Sequence, residues 1–134
     1  MADKVIVWDR DELVDLIETE ISQNGLHCDL NHLDVSRVTD MYRLFYMSDF
    51  QGDISQWNVS NVTTLDGIFS NSIFNGDISR WDVSHVRNMD RMFGGSPFNG
   101  DISNWNVSRV TSMNSMFCVS EFQGDISKWD VSKV

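Results

Sequence analysis

Apolar residues recur along the chain with a fixed period of 24 residues. Three aromatic and aliphatic columns define the repeat: Phe50, Phe74, Phe98 and Phe122; Trp57, Trp81, Trp105 and Trp129; Val62, Val86, Val110 and Val134. The stretch CDLNHLDVSRV at 28–38 matches GDISQWNVSNV at 52–62, with Leu30 for Ile54 and Leu33 for Trp57. A period of about 20–50 residues is typical of a solenoid, whose units bury their apolar faces against their neighbours. The pattern predicts units near 28–51, 52–75, 76–99 and 100–123, and a partial unit at 124–134.

The first half of each unit predicts a short strand. Trp57 and Val59 are two residues apart, so in a strand both would point to the core, while the residues between and beside them would point outward. With Ile54, they have the spacing of the strand-bearing half of a leucine-rich repeat. Stacked strands of this kind would form a parallel sheet on one face of the molecule.

The second half of each unit predicts a short helix. Val62, Leu65 and Phe69 lie at i, i+3 and i+7, which places them on one helical face. Serine precedes each such segment and is the predicted N-cap, at Ser36, Ser60, Ser84 and Ser108. The glycine before each aspartate, as at Gly52, predicts a tight turn that needs glycine's conformational freedom.

Residues 1–27 do not repeat and predict an N-terminal capping unit. The sequence KVIVW at 4–8 predicts a strand, and Asp9 is a predicted N-cap with Glu12 three residues later. Apolar residues then follow at helical spacing until the Asn-Gly pair that ends at Gly25. A solenoid needs such an atypical unit to cover its first core layer.

The repeat pattern stops at Val134 without a matching C-terminal cap. Trp129 and Val131 are therefore predicted to lie on an exposed edge strand, which favours association. Three interpretations remain open: the chain is a fragment, a partner covers this end, or two copies meet end to end.

These elements predict a right-handed α/β solenoid of leucine-rich-repeat type. It would have a parallel sheet on one face, short helices on the other, an N-terminal α/β cap and no C-terminal cap. The rival prediction is a parallel β-helix, which would lack the helices in the repeats.

Charge and composition narrow the classes of partner. The chain of 134 residues has 20 acidic and 10 basic residues, a net charge of -10. Nucleic acids and anionic membranes are polyanionic, so neither is an expected partner. No segment has the roughly 18 apolar residues that cross a bilayer. The sequence also lacks a secretory signal, which predicts a cytoplasmic location for the chain as given.

The two cysteines are predicted to be free thiols. Cys28 and Cys118 are nearly four units apart, and at about 4.8 Å per unit they would be separated by roughly 18 Å. A disulfide needs Cα atoms within about 7 Å.

No catalytic pattern stands out, so we predict that the chain is not an enzyme and needs no cofactor. His27, His32 and His85 have no metal-ligand spacing with the cysteines, and the serines recur as repeat elements rather than as one activated nucleophile. A column of aspartates is predicted to bond backbone amides in turns: Asp29, Asp53, Asp77, Asp101 and Asp125. Calcium binding by these carboxylates is the alternative.

The candidate binding residues lie on the outward face of the predicted strands. One column varies while its neighbours stay constant: His32, Gln56, Arg80, Asn104 and Lys128. A second column alternates between amide and carboxylate: Asn58, Asp82, Asn106 and Asp130. A constant scaffold with variable outward residues is how repeat proteins present a binding surface. A candidate self-association edge lies at Trp129, Val131 and Val134.

The repeat resembles the BspA-type leucine-rich repeat family. The shared motif, F-[NQ]-G-D-I-S-x-W-[DN]-V-S-x-V-x-x-M-x-x-M-F, is intact at 74–93 and 98–117, and the resemblance covers about 28–134. It implies a bacterial surface-type repeat protein, since members occur in surface antigens and lipoproteins and some are implicated in adhesion. This sequence carries neither the signal nor the anchor of such proteins.

The sequence therefore predicts a non-catalytic module that binds a protein partner, with a surface or adhesion role implied by the resemblance. The alternative is a structural repeat protein that assembles end to end, for example as a homodimer through its C-terminal end.

Overall fold

The computed structural model describes residues 4–134. It begins with strand β1 (Val5–Ile6) and helix α1 (Arg10–Asn24), followed by strand β2 (Leu33–Asp34). The Asp9 side chain accepts a hydrogen bond from the backbone N–H of Glu12 at 2.9 Å, and Gly25 ends the helix with φ 87°. Both predicted ends of α1 are confirmed. Residues 1–3 of the predicted capping unit lie outside the described residues.

The N-terminal segment packs on the first repeat unit. β1 pairs in parallel with β2, with Val5 opposite Leu33. Leu13 and Ile17 of α1 are buried together with Val7 in the same apolar core as the repeats. The first layer of the repeats is therefore covered by residues that do not belong to the repeat pattern.

Each repeat unit is a series of four tight turns. In the second unit these turns are turn A at 54–57, turn B at 59–62, turn C at 65–68 and turn D at 69–72. In each turn the backbone N–H of the fourth residue donates to the carbonyl of the first, at distances between 3.0 and 3.2 Å. The first and fourth residues of turns A and B are buried, and the third is exposed. The apolar spacing of the repeat thus follows from the turns.

The prediction of a short helix in each repeat unit is wrong. Within residues 28–134 the chain has no helix, and the segments predicted as helical are turns. Val62, Leu65 and Phe69 do face the core, but consecutive turns place them there. The third residues of turns C and D, Gly67 and Asn71, have φ of 66° and 53°. This left-handed backbone is typical of type II turns and interrupts an α-helix.

The turns in the second half of each unit are linked by a backbone ladder. Alternate N–H groups of turns C and D donate to carbonyls of the following unit, at 2.8–3.1 Å in the second unit. The donors are residues 65, 67, 69 and 71 and the acceptors are residues 88, 90, 92 and 94. The same pattern links the first unit to the second and the third to the fourth. We call these contacts the turn ladder.

The predicted sheet through Trp57 and Val59 is also wrong. Within residues 50–134 no strand is formed, and these two residues belong to turns A and B. The isolated parallel bridges between later units lie instead on the turn ladder, at Thr64, Asn88 and Ser112. From the second unit onward, backbone pairing between units therefore lies in the half of the repeat that was predicted to be helical. The first and second units also pair in the other half, at Asp29 and Asp53.

Stacked aromatic rings fill the core between units. Phe69 lies 5.8 Å from Phe45 and 5.9 Å from Phe93, measured between ring centroids. Trp81 stacks on Trp57 at 6.4 Å, and its indole N–H donates to the Ile54 carbonyl of the preceding unit at 3.1 Å. Each tryptophan from Trp57 to Trp129 makes this bond, because a buried indole N–H needs an acceptor.

The constant glycine serves close packing rather than an unusual turn geometry. A Cβ atom on Gly76 would lie 2.7 Å from the Phe74 ring, and one on Gly52 would lie 1.9 Å from the Cys28 carbonyl. Neither glycine has a positive φ. The prediction that these glycines supply a special backbone conformation is therefore wrong. Cys28 and Cys118 are both free thiols, the first buried and the second exposed.

Candidate binding surfaces

The predicted variable column occupies the third position of turn A in successive units. Gln56, Arg80, Asn104 and Lys128 are exposed there, and we call this column the first row. His32 holds the same position in the first unit but is half-buried. Its Nε2 atom lies 3.0 Å from Oε1 of Glu20 in α1. His32 therefore links α1 to the first unit and is less exposed than the rest of its column.

The predicted column of alternating asparagine and aspartate side chains stabilises turn B through hydrogen bonds. Asn58 accepts hydrogen bonds from the backbone N–H and the hydroxyl of Ser60, at 3.1 and 2.6 Å. The backbone N–H groups of the corresponding serines donate in the same way to Asp34, Asp82, Asn106 and Asp130. Asparagine and aspartate are interchangeable here because one side-chain oxygen is sufficient. The serines thus act in these turns and are not helix N-caps.

The aspartate column makes the same kind of turn at turn A, as predicted. Asp77 accepts bonds from the backbone N–H and the hydroxyl of Ser79, at 2.9 and 2.7 Å. The Ser79 hydroxyl, and then its backbone N–H, lower the pKa of Asp77 because both bonds stabilise the carboxylate. Asp53, Asp101 and Asp125 have lowered pKa values for the same reason. Among residues 4–134 no group of three His, Cys, Asp or Glu side chains is arranged to hold a metal ion.

A second variable row lies at the third position of turn B. Its members are exposed: Arg37, Asn61, His85, Arg109 and Lys133. We call it the second row. The sequence shows its variation, because the positions recur every 24 residues between constant serine and valine. Sequence reasoning did not select these positions as binding residues, because it did not predict turn B. The two rows flank the Asn58 column.

An aromatic and arginine cluster lies where the N-terminal segment meets the first unit. It consists of Trp8, Arg37, Tyr42, Arg43 and Tyr46. The Arg43 guanidinium carbon lies 5.1 Å from the Tyr42 ring centroid and 4.6 Å from that of Tyr46, and Arg37 lies 5.0 Å from the Trp8 ring. Trp8 is 62% exposed and both tyrosines are 38% exposed. A groove of about 360 Å³ runs between the Trp8 and Tyr42 side chains.

This cluster is specific to the first unit. Tyr42, Arg43 and Tyr46 are replaced by small or polar residues in the second unit, at Asp66, Gly67 and Ser70. The third and fourth units have Asp90, Arg91 and Gly94, and Asn114, Ser115 and Cys118. The departure from the repeat is visible in the sequence. Sequence reasoning missed it because these positions were assigned to the outer face of a helix.

Arg43 differs from its counterpart Arg91 in the third unit because only Arg91 is paired with a carboxylate. Arg91 is paired with the buried carboxylate of Asp66 at 3.0 Å. Arg43 has no carboxylate within 4 Å among residues 4–134. Its side chain extends over Gly67, where a Cβ atom would lie 3.1 Å from Cγ. The half-buried guanidinium is thus held between two rings.

The predicted self-association edge is only partly exposed. Trp129 is buried: it stacks on Trp105 at 6.5 Å, and its indole N–H donates to the Ile102 carbonyl at 3.1 Å. The prediction of an exposed Trp129 on an edge strand is therefore wrong, because the ring packs back on the preceding unit. Val131 and Val134 are exposed, and they are the ends of a turn.

Comparison with known proteins assigns the chain to one family. No curated protein and no solved structure matches this chain. No helix of residues 4–134 has the length and apolar character needed to span a membrane. The sequence pattern of the family described as "Mycoplasma protein of unknown function, DUF285" matches residues 12–120 and again residues 94–134. Since the first match alone covers most of the sequence, the chain belongs to the DUF285 family.

Proposed function

We propose that the chain is a non-catalytic module that binds another protein. The observation that carries this proposal is the cluster of Trp8, Arg37, Tyr42, Arg43 and Tyr46, in which every side chain except the half-buried Arg43 is exposed. Tryptophan, tyrosine and arginine are the residue types that contribute most to binding energy at protein interfaces. In this molecule they are concentrated at one place, on a chain whose other repeat units have small or polar residues there.

The cluster is pre-organised for binding. The Arg43 backbone N–H donates to the Asp66 carbonyl at 3.0 Å, so its main chain is part of the turn ladder. The Tyr42 carbonyl accepts a bond from Nε of Arg10 at 2.7 Å, which ties the cluster to α1. A partner that contacts these side chains has little backbone to order, and less of the interaction energy is lost in ordering it. An unpaired guanidinium between two rings favours a partner with a carboxylate at the centre of its interface.

The first and second rows extend this surface along the repeats. Arg37 belongs both to the cluster and to the second row, which continues through Asn61 and His85. The constant side chains of turns A and B are engaged in bonds within the turns, so specificity along the array would come from the two rows. The predicted binding residues Gln56, Arg80, Asn104 and Lys128 remain candidates on this basis. The engagement of the repeated serines and aspartates in turns also favours a non-catalytic role.

For the fold class we propose a solenoid built from turns. The repeat motif supports a relationship to BspA-type leucine-rich repeats, and with it the surface or adhesion role that the resemblance implies. The turn ladder and the stacked core columns support a solenoid whose units carry no helix. This fold is closer to the rival β-helix than to an α/β leucine-rich repeat.

The test is partner capture with charge-matched variants. Arg43→Glu should abolish capture of the partner from cells or host extracts. Arg87→Glu makes the same charge change at an exposed position outside the cluster and both rows, and should capture the partner as wild type does. If the rows contribute, the double variant Arg80→Glu and Lys128→Glu should weaken capture of the same partner. A partner that binds Arg43→Glu as tightly as wild type would contradict the proposed site.

A further inference from the structure

Two exposed apolar side chains lie beside the cluster of aromatic residues and arginines. Met47 is 66% exposed and Ile73 is 42% exposed. Met47 follows Tyr46 in the chain, and the Ile73 backbone N–H donates to the carbonyl of Ser48 at 3.3 Å. Both residues therefore continue the surface of the cluster beyond Tyr46, and we call them the apolar extension.

The apolar extension departs from the repeat pattern. The residues equivalent to Ile73 in the other units are Asp49, Pro97 and Glu121, and those equivalent to Met47 are Asn71, Gly95 and Val119. The other units thus form the same turns mostly with polar residues, glycine or proline at these positions. The backbone of the repeat does not require a methionine or an isoleucine there, so the turns do not explain the two exposed side chains.

The backbone at Met47 is unfavourable for a methionine. Met47 is the third residue of turn D in the first unit, and its φ is 55°. This left-handed backbone is strained for a residue with a Cβ atom, whereas the glycine and asparagine of the second and third units adopt it readily. Residues held in such a backbone cluster at functional sites. Because the Met47 side chain is mostly exposed, packing within the fold does little to offset the strain.

Arg91 shows how another residue with the same backbone is accommodated. Its φ is also 55°, and its guanidinium pairs with the buried carboxylate of Asp66 at 3.0 Å. The side chain of Arg91 thus stabilises the fold from its strained position. Met47 makes no contact of this kind, so its side chain is available to a binding partner.

We propose that Arg43 and the apolar extension together bind a protein segment in which a carboxylate is flanked by apolar side chains. This pairing rests on the proposed function, because it uses the same surface. Arg43 has no carboxylate within 4 Å among residues 4–134, and the chain as a whole has a net charge of -10. A partner's carboxylate is therefore attracted here and repelled by most of the remaining surface.

The apolar extension supplies the contacts that charge alone does not. Methionine is unbranched and adapts to apolar side chains of different shape. Methionine, tyrosine and arginine are all enriched in the centres of protein interfaces. Met47 and Ile73 would therefore select acidic segments with apolar neighbours over segments that are only acidic.

The experiment uses the full chain and a display library of random peptides, selected on the wild-type protein. We expect the enriched sequences to share an aspartate or glutamate with leucine, isoleucine, methionine or phenylalanine close to it. Met47→Gly should bind the selected peptides about tenfold more weakly. Its midpoint of urea unfolding should be no lower than that of wild type, because glycine suits a φ of 55°. Ile73→Ser should also weaken binding.

Val119→Gly is the matched control. It removes an exposed apolar side chain from the same position of turn D in the fourth unit, where φ is 54°. This position is distant from the cluster, so Val119→Gly should bind the selected peptides as wild type does. A comparable loss of affinity in Val119→Gly would contradict a site at Met47.

The remaining outcomes separate this site from the proposed function. Enriched peptides without an acidic residue near apolar ones, or no enrichment at all, would overturn the proposed chemistry. A much lower urea midpoint for Met47→Gly would assign Met47 to the fold instead. If Arg43→Glu loses the peptides while Met47→Gly keeps full affinity, the apolar extension is refuted and the proposed function stands. If Arg43→Glu keeps full affinity, both are refuted.

Discussion

At the scale of single residues, the residues that recur at the same position of every repeat unit are explained by contacts with their immediate neighbours. Gly76 is constant because the Phe74 ring lies against its Cα atom. Asn58 and its counterparts alternate with aspartate because one accepting oxygen is all that turn B needs. The sequence shows which positions are constant, but the contact that makes each one constant depends on the turn geometry. Gly76 was therefore recognised as necessary for the wrong reason.

Gly76→Ala should destabilise the chain by about 1–3 kcal/mol, the usual cost of overpacking. The added Cβ would meet the Phe74 ring at 2.7 Å, and the ring cannot move without disturbing its stack. Urea denaturation measures the change in the free energy of unfolding. Gly94→Ala is the control, because its Cβ would have no neighbour closer than 3.5 Å and its φ is not positive. Equal losses in the two variants would contradict the packing role.

At the scale of elements, the local sequence pattern predicted α1 correctly but wrongly predicted helices in the repeat units. Asp9 and Gly25 define a helix whose hydrogen bonds lie within the segment, so the segment alone is enough to predict it. Val62, Leu65 and Phe69 have helical spacing, but a series of turns that each close from i to i+3 satisfies that spacing equally well. The deciding bonds are those from residues 65–71 to the next unit. Such bonds span a whole repeat and leave no local pattern.

The turns A and B should make stability depend on pH in the acid range. Carboxylates in these turns have lowered pKa values: Asp34, Asp53, Asp77, Asp82, Asp101, Asp125 and Asp130. A carboxylate with a lowered pKa in the folded state stabilises it above the unfolded pKa of about 3.9. That contribution is lost as the pH falls through the folded pKa. We expect the free energy of unfolding to be constant near neutral pH and to fall below about pH 4.

Two substitutions of Asp77 distinguish the contribution of its hydrogen bond to stability from that of its charge. Asp77→Asn keeps an acceptor for the Ser79 N–H, as Asn58 does for Ser60, so stability at pH 7 should be nearly unchanged and its loss in acid smaller. Asp77→Ala removes the acceptor and should cost about 1 kcal/mol at pH 7. Chemical denaturation at pH 7 and pH 3 measures both effects. If the asparagine variant were as unstable at pH 7 as the alanine variant, charge rather than the turn bond would be responsible.

At the scale of the whole molecule, the sequence predicted the stacking period and one row of outward residues but not the best candidate site. The first row was found because its variation is visible in the sequence. That His32 is bonded to Glu20 depends on where α1 lies on the first unit, which no repeat alignment contains. The aromatic and arginine cluster likewise joins Trp8 to residues of the first unit that are distant in sequence.

The absence of repeat helices within residues 28–134 has a direct spectroscopic consequence. Far-ultraviolet circular dichroism should show helix equivalent to the 15 residues of α1, with the rest of the signal from turns. Asp9→Ala should reduce this signal, because α1 loses its N-cap. A helical signal several times larger, as expected for one helix in every unit, would contradict the turn-built repeat.

The fluorescence of the stacked tryptophans also depends on whether the layers of repeat units are in contact. The rings of Trp57 and Trp81 are 6.4 Å apart with an interplanar angle of 8°, and Trp105 and Trp129 are 6.5 Å apart at 4°. Excitation absorbed by one indole at such distances passes to the next before it is emitted. The folded chain therefore contains two coupled indole pairs, and separation of the two layers of a pair uncouples them. Because these indoles are buried in the folded chain, separation of the layers exposes them to water, and a shift of the tryptophan emission to longer wavelength can follow it without an added label.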